Sequence, residues 1–150
     1  MCNEISIRKM TFEDIADVAI IEKKCFSMPW SEKSFEDSSK QSYSHFFVAE
    51  YDNIIAGYMG VYCVVDEADI TNVAVLPEYR RKGIAKKLIL HIENMAKDIH
   101  VKQINLEVRE SNRQAINLYE QMGFKNIGIR KSFYEKPVEN AAIMTYEVLQ

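Results

Sequence analysis

The segment from Asn72 to Lys86 carries the strongest chemical signal in the chain. A strand-forming run, Asn72-Val73-Ala74-Val75, leads through Pro77 into Arg80-Arg81-Lys82-Gly83-Ile84-Ala85-Lys86. Beyond it, Ile84, Leu88, Ile92, Met95 and Ile99 recur at the spacing of one helix face. The basic, glycine-containing turn therefore opens a helix. The first N–H groups of a helix have no intrahelical acceptor, and the dipole there favours negative charge. That is anion-binding chemistry, suited to a phosphate or pyrophosphate. Gly83 and the small Ala85 would let such a group approach the backbone. Arg80, Arg81, Lys82 and Lys86 would answer its charge. On charge alone, a solvated basic run is the simpler reading. Against it, cations at a helix start are electrostatically unfavourable unless an anion answers them. The turn is not a nucleotide P-loop, because GxxxxGK followed by Ser or Thr is absent, and it is not GxGxxG.

Proton-transfer candidates lie further on. Ile104, Leu106 and Val108 alternate with Asn105, Glu107 and Arg109, which places Glu107 on the polar face of a strand. It is a candidate base or an ordinary solvent-facing glutamate. Ser111-Asn112-Arg113-Gln114 reads as a capping box for a helix with Ala115, Ile116, Leu118, Tyr119 and Met122, ended by Gly123. Tyr119 falls in that helix's apolar stripe, where a core tyrosine is the commoner outcome. Asp66, Glu67 and Asp69 form an acidic group that would suit an ammonium or basic peptide side chains, or would simply be solvated. His45, His91 and His100 lack metal-ligand spacing, so no metal is expected.

The elements that must position these residues follow from pattern. Ile5-Ser6-Ile7 predicts a first strand. Thr11 to Asp14 has capping character before a helix with Ile15, Val18 and Ala19. A second short helix starts at Ser31, after Pro29-Trp30. Phe46 to Glu50 and Ile54 to Val65 flank Asp52-Asn53 as a hairpin, and Ala68 to Val75 is a further strand. Two final strands are expected near Asn126 to Arg130 and Ala141 to Val148. The order β-α-α-β-β-β-α-β-α-β-β predicts an α/β (α+β) fold with a mixed sheet and a parallel β-α-β unit at its centre.

Composition excludes several classes. The chain has 150 residues, 47% hydrophobic and 27% charged, so one domain with its own core is expected over 1–150. A net charge of -3 disfavours a globally basic nucleic-acid binder. No apolar run reaches the ~18 residues of a membrane span. Met1-Cys2-Asn3-Glu4 does not begin a signal peptide, and the chain is expected in the cytoplasm. Cys2, Cys25 and Cys63 form no CxxC, which argues against a disulfide framework or zinc site. Cys25 and Cys63 are expected to be small core residues.

Arg80-Arg81-Lys82-Gly83-Ile84-Ala85 resembles the acetyl-CoA signature Q/R-x-x-G-x-G/A of the GNAT acetyltransferase superfamily, and the element order is similar to the whole GNAT fold. Phe26, Pro29-Trp30-Ser31 and Phe35, together with Leu106-Glu107-Val108-Arg109-Glu110-Ser111-Asn112 and Ala115-Ile116-Asn117-Leu118-Tyr119-Glu120, resemble the RimI-type ribosomal-protein-alanine N-acetyltransferases. Gly123-Phe124 and Arg130 also fit. Phe133-Tyr134 and Glu139-Asn140-Ala141 depart from that family's usual Tyr-Tyr and Glu-Asp-Ala.

The resemblance implies a mostly antiparallel GNAT sheet with helices on both faces, and acetyl-CoA as cosubstrate. The backbone of Val73, Ala74 and Val75 would pair with the pantetheine arm. Arg81, Lys82, Gly83, Ile84, Ala85 and Lys86 would cradle the pyrophosphate, and Asn112 would both cap its helix and bond the cofactor. Glu107 becomes the general base and Tyr119 the general acid of a direct transfer. The implied acceptor is the N-terminal alanine of a small-subunit ribosomal protein, with Trp30 and Tyr134 as walls of a peptide groove or as packing residues. A broader peptide Nα-acetyltransferase, a small-amine acetyltransferase and a non-catalytic acetyl-CoA-binding module are the alternatives. Oligomeric state is left open.

Overall fold

A computed structural model describes residues 4–148. It contains, in chain order, β1 (Ile5–Lys9), α1 (Ile15–Cys25), α2 (Glu32–Ser39), β2 (Ser44–Tyr51), β3 (Ile54–Val64), β4 (Glu67–Val75), α3 (Ile84–Asp98), β5 (Gln103–Arg109), α4 (Arg113–Gln121), β6 (Lys125–Tyr134) and β7 (Glu139–Glu147). The strands form one seven-stranded sheet in the order β1-β2-β3-β4-β5-β7-β6. Every neighbouring pair is antiparallel except β4 and β5, which α3 connects. The expected order of elements and the mixed sheet are therefore found.

The alternation of side chains sorts the core into two layers. Phe47 and Ala49 of β2 face α3 and α4, in a core with Ile84, Leu88, Ile89, Ile92, Ile116 and Tyr119. Phe46 and Val48 face α1 and α2, with Ile15, Val18, Ile21 and Phe35. Cys25 and Cys63 are half-buried against these cores. Cys2 lies outside the described residues.

Hairpin chemistry holds at Asp52-Asn53, where both residues take positive φ as a tight two-residue turn requires. The start of α1 is tied to the sheet by Arg8. Its guanidinium bonds the Asp14 carboxylate at 2.7 and 2.9 Å and also pairs with Glu50. The Arg8 contact holds the Asp14 carboxyl down at about 2.

Asn112 caps α4 as expected, its side-chain oxygen accepting from Ala115 N–H at 3.2 Å. Two local expectations need correction. The Ser111-to-Gln114 capping box does not form, and Ser111 N–H goes to Glu139 at 2.7 Å. The last-but-one strand runs on to Tyr134, past the expected Arg130. As an edge strand with almost no buried face, it lacks the alternation that marks a strand in sequence.

Candidate active site

The site begins with a defect in β4. Gly60 pairs with Asn72 and Val61 with Ile70, so Thr71 is an extra residue, a β-bulge. The bulge reverses the phase of the strand. Ala68 and Ile70 face the α3 layer before it; Val73 and Val75 do so after it, while Asn72 and Ala74 turn to the α1 layer. The parallel pairing of β4 with β5 ends at the same place, with Ile70 opposite Leu106. Beyond that pair no further β4–β5 pairing is formed among the described residues, and the unpaired stretch between the two strands is the candidate cleft.

The parity of the antiparallel ladder decides what lines the cleft. Leu76 N–H donates to Ala56 O at 2.8 Å, so Leu76, Ala74 and Asn72 direct their main-chain groups to β3. Val73 and Val75 therefore direct theirs to the open side. Val75 O already accepts from Arg80 Nε at 3.3 Å and from the Cys25 thiol at 3.4 Å. Of the three residues expected to pair with pantetheine, Val73 and Val75 have main-chain groups facing the cleft, and Ala74 does not.

The basic turn lies at the end of β4. Gly83 caps α3 with φ 85°, in the left-handed region that only glycine adopts without strain, and a Cβ there would meet nothing within 4 Å. The first intrahelical bond from this end is Lys87 N–H to Gly83 O at 3.1 Å, which leaves the N–H groups of Ile84, Ala85 and Lys86 directed out of the helix end. The Ile84 side chain is buried in the core, so only its N–H is offered. The cations divide. Arg80 is tied back to Val75 O and approaches the Cys25 sulfur at 3.7 Å. The Lys82 ammonium lies 5.2 Å over the Tyr51 ring. Arg81 and Lys86 are exposed beside the helix end.

Glu107 and Tyr119 lie on opposite faces of the sheet. Ile104, Leu106 and Val108 pack into the α3–α4 core, so Glu107 stands on the other face of β5. Its carboxylate pairs with Arg130 at 3.4 Å, a half-exposed partner that an incoming cation can displace. Tyr119 is 8% exposed, and burial pushes its phenol up to about 12. Its position is fixed by the end of α4. Phe124 N–H bonds Tyr119 O at 2.9 Å and Gly123 N–H bonds Glu120 O at 3.0 Å, a Schellman ending whose apolar contact is Tyr119 on Phe124, ring centroids 5.8 Å apart. Tyr134, on β6, bridges the two faces electrostatically. Burial and the charge of Glu107 raise its phenol to about 12, and it adds to the rise at Tyr119.

Arg109, two residues beyond Glu107, had no assigned role in the sequence. It donates to Pro137 O at 2.9 Å, Glu135 O at 3.0 Å and Glu139 at 3.2 Å, and lies 4.5 Å over the Tyr134 ring. It thus ties the β6–β7 turn and Tyr134 to the strand of the base candidate. The acidic group splits. Asp66 pairs with Lys102 at 3.9 Å, while Glu67 and Asp69 share the Asn105 amide at 3.1 and 3.0 Å. Trp30 packs on Phe35 and Phe46. Glu22 was also missed, although it sits four residues after Val18 on the buried side of α1. Among the described residues no group of His, Cys, Asp and Glu could hold a metal ion, and no helix is long and apolar enough to cross a membrane.

The family model described as "Acetyltransferase (GNAT) family" matches residues 15–124. This chain belongs to the GNAT acetyltransferase family. Family members transfer the acetyl group of acetyl-CoA, and this GNAT enzyme is an N-acetyltransferase. It is 38% identical over 145 residues, 96% of both chains, to a Bacillus subtilis (strain 168) protein provisionally named a ribosomal protein bS18-alanine N-acetyltransferase. It is 33% identical over 129 residues, 86% of both chains, to the Escherichia coli (strain K12) ribosomal protein bS18-alanine N-acetyltransferase. The crystal structure of the E. coli ribosomal-protein-S18-alanine N-acetyltransferase superposes with TM-score 0.91 at 31% identity, covering 98% of this chain and 96% of that one.

The two positive-φ glycines of this GNAT site make a paired prediction. Gly83→Ala carries only backbone strain, about 1 kcal/mol. Gly123→Ala adds a Cβ 2.9 Å from the Tyr146 ring at φ 99° and must also displace that ring. Urea denaturation should therefore show Gly123→Ala to be clearly the less stable of the two.

Proposed function

We propose that the chain transfers the acetyl group of acetyl-CoA directly to the α-amine of the N-terminal alanine of ribosomal protein bS18. The observation that carries this reading is the end of the β4–β5 pairing at Ile70 and Leu106, with Glu107 on one face of β5 and Tyr119 in the layer on the other. The bS18-alanine activity named for the relatives supplies the acceptor.

The residues present fit the cosubstrate. Val73 and Val75 turn main-chain groups into the opening for the amides of a pantetheine arm. The N–H groups of Ile84, Ala85 and Lys86, with Arg81 and Lys82 nearby and open space at Gly83, suit a pyrophosphate. Asn112 uses its oxygen for the cap, and its amide N–H is the group that can donate to the cofactor. When bound, acetyl-CoA supplies an activated thioester carbonyl and a thiolate leaving group.

The chain's side chains then manage protons. The acceptor must attack as a neutral amine, and an α-amine with pKa about 7.7–8.0 is partly neutral near pH 7, whereas a lysine amine near 10.4 is not. Glu107 accepts the amine proton, directly or through one water. As the C–N bond forms and the C–S bond breaks, Tyr119 donates its phenolic proton to the departing sulfur. Pushed up to about 12, that phenol stays protonated throughout the working range, so it is always available as a donor.

Mass spectrometry of peptides incubated with enzyme and acetyl-CoA tests this function. A peptide bearing the alanine N-terminus of bS18 should gain one acetyl group, and the same peptide with a blocked N-terminus should gain none despite its lysines. Preference for polyamines or internal lysine would contradict the acceptor. In the same assay Glu107→Gln and Tyr119→Phe should each lower kcat roughly 10²–10⁴-fold with folding intact. Loss of the acidic limb of the pH–rate profile in Glu107→Gln would identify the base. Activity within a few-fold of wild type in both variants would mean catalysis by positioning alone. Gly83→Asp should abolish measurable acetyl-CoA binding in calorimetry, because it sets a negative charge at the helix end. Unchanged affinity would locate the phosphates elsewhere.

A further inference from the structure

A buried carboxylate lies beside the cleft on the face that carries Glu107, and the proton transfers do not use it. Glu22, in the last turn of α1, is 2% exposed. Three donors from three segments converge on it. Trp30 N–H reaches Oε2 at 3.0 Å, the Tyr58 hydroxyl bonds Oε1, and Asn72 Nδ2 approaches Oε1 at 3.5 Å. No cation is among them. An apolar residue at this position of α1 would be buried at no electrostatic cost, whereas a carboxylate needs every one of these donors. The arrangement therefore favours a particular placement of segments over mere cohesion.

Those segments frame the acceptor side. Tyr58 is on β3, directly across from Ala74. Asn72 is the first residue of β4 past the bulge and precedes Val73; its side chain also interacts with Tyr58, while its Oδ1 is buried with no partner among the described residues. Trp30 ends the connection between α1 and α2, which carries the exposed side chains of Phe26 (41%) and Met28 (52%). Phe26 N–H is bound to Glu22 O at 3.0 Å. One residue thus holds the start of the connection through its main chain and the end through its carboxylate.

We infer that Glu22 is a positioning residue for the acceptor. Its carboxylate latches the 26–31 connection onto β3 and β4 where β4 leaves β5, and so shapes the wall against which the peptide N-terminus is held. The inference rests on the proposed transfer to a peptide α-amine.

The test compares Glu22→Met, which removes every acceptor at similar size, with Glu22→Gln, which keeps one carbonyl for Trp30 N–H. Val18→Ala, in the core of α1, controls for lost stability. With the alanine-starting peptide, well below each melting temperature, Glu22→Met should raise the peptide KM about tenfold or more, with kcat changed less than about threefold. Its Kd for acetyl-CoA should stay within about twofold of wild type. Glu22→Gln should recover most of the KM. Val18→Ala should lower Tm without moving KM. If Glu22→Met does not fold, Glu22→Asp, one methylene short of Trp30 N–H, gives the same reading. An unchanged peptide KM, a parallel loss of acetyl-CoA affinity, or an equal KM change in Val18→Ala would overturn the role of Glu22. A wild-type enzyme that leaves the peptide unmodified would overturn the acceptor reading as well.

Discussion

Four paired positions hold β4 to β5, and the site depends on the pairing stopping there. Parallel strands that stay in register use their main-chain groups on each other. Here the extra residue Thr71 shifts the phase of β4, and the strands part beyond Ile70 and Leu106. The consequence is geometric. Main-chain donors and acceptors of Val73 and Val75 are left facing an opening in the middle of a sheet, where an extended ligand can take the place of a strand. Glu107 on β5 and Tyr119 on α4 lie on opposite faces of the sheet at this point.

Burial treats the two faces differently. Tyr119 is set in the apolar layer by the Schellman ending of α4, and burial raises its phenol to about 12, which keeps it protonated. The same packing that makes Tyr119 a core residue fixes the place of its ring. Glu107 stands on the opposite face, partly exposed and paired with Arg130 at 3.4 Å. Arg109 ties down the β6–β7 turn, and Glu22 the α1–α2 connection.

The sequence made legible whatever depends on regular periodicity or on a short motif. The stripe of Ile84, Leu88 and Ile92, the hairpin at Asp52-Asn53 and the turn at Gly83 were all readable, whereas Ile99, expected on that stripe, lies just past α3 and is exposed. The strand that carries Glu107 and the helix that carries Tyr119 were readable too. What escaped depends on irregularity or on distance along the chain. The bulge at Thr71 breaks alternation by one residue, and only the pairing with β3 reveals that Ala74 turns away from the cleft. The extension of β6 to Tyr134 has no buried face to announce it. The Asn112 cap was readable, but the bond from Ser111 N–H to Glu139, 28 residues on, was not. Glu22 did leave a signal, a charged residue on the buried side of an amphipathic helix, but its donors come from residues 8 to 50 positions away.

The most direct measurement is a crystal structure with a bisubstrate analogue in which coenzyme A is joined through an acetyl bridge to the α-nitrogen of an alanine-starting peptide. Its pantetheine amides should bond the main chain of Val73 and Val75, and its pyrophosphate should sit on the N–H groups of residues 84–86. The peptide should leave on the face that carries Glu107, with the sulfur on the Tyr119 side. An analogue bound with β4 and β5 closed against each other, or with its peptide leaving on the face of α3 and α4, would contradict the account.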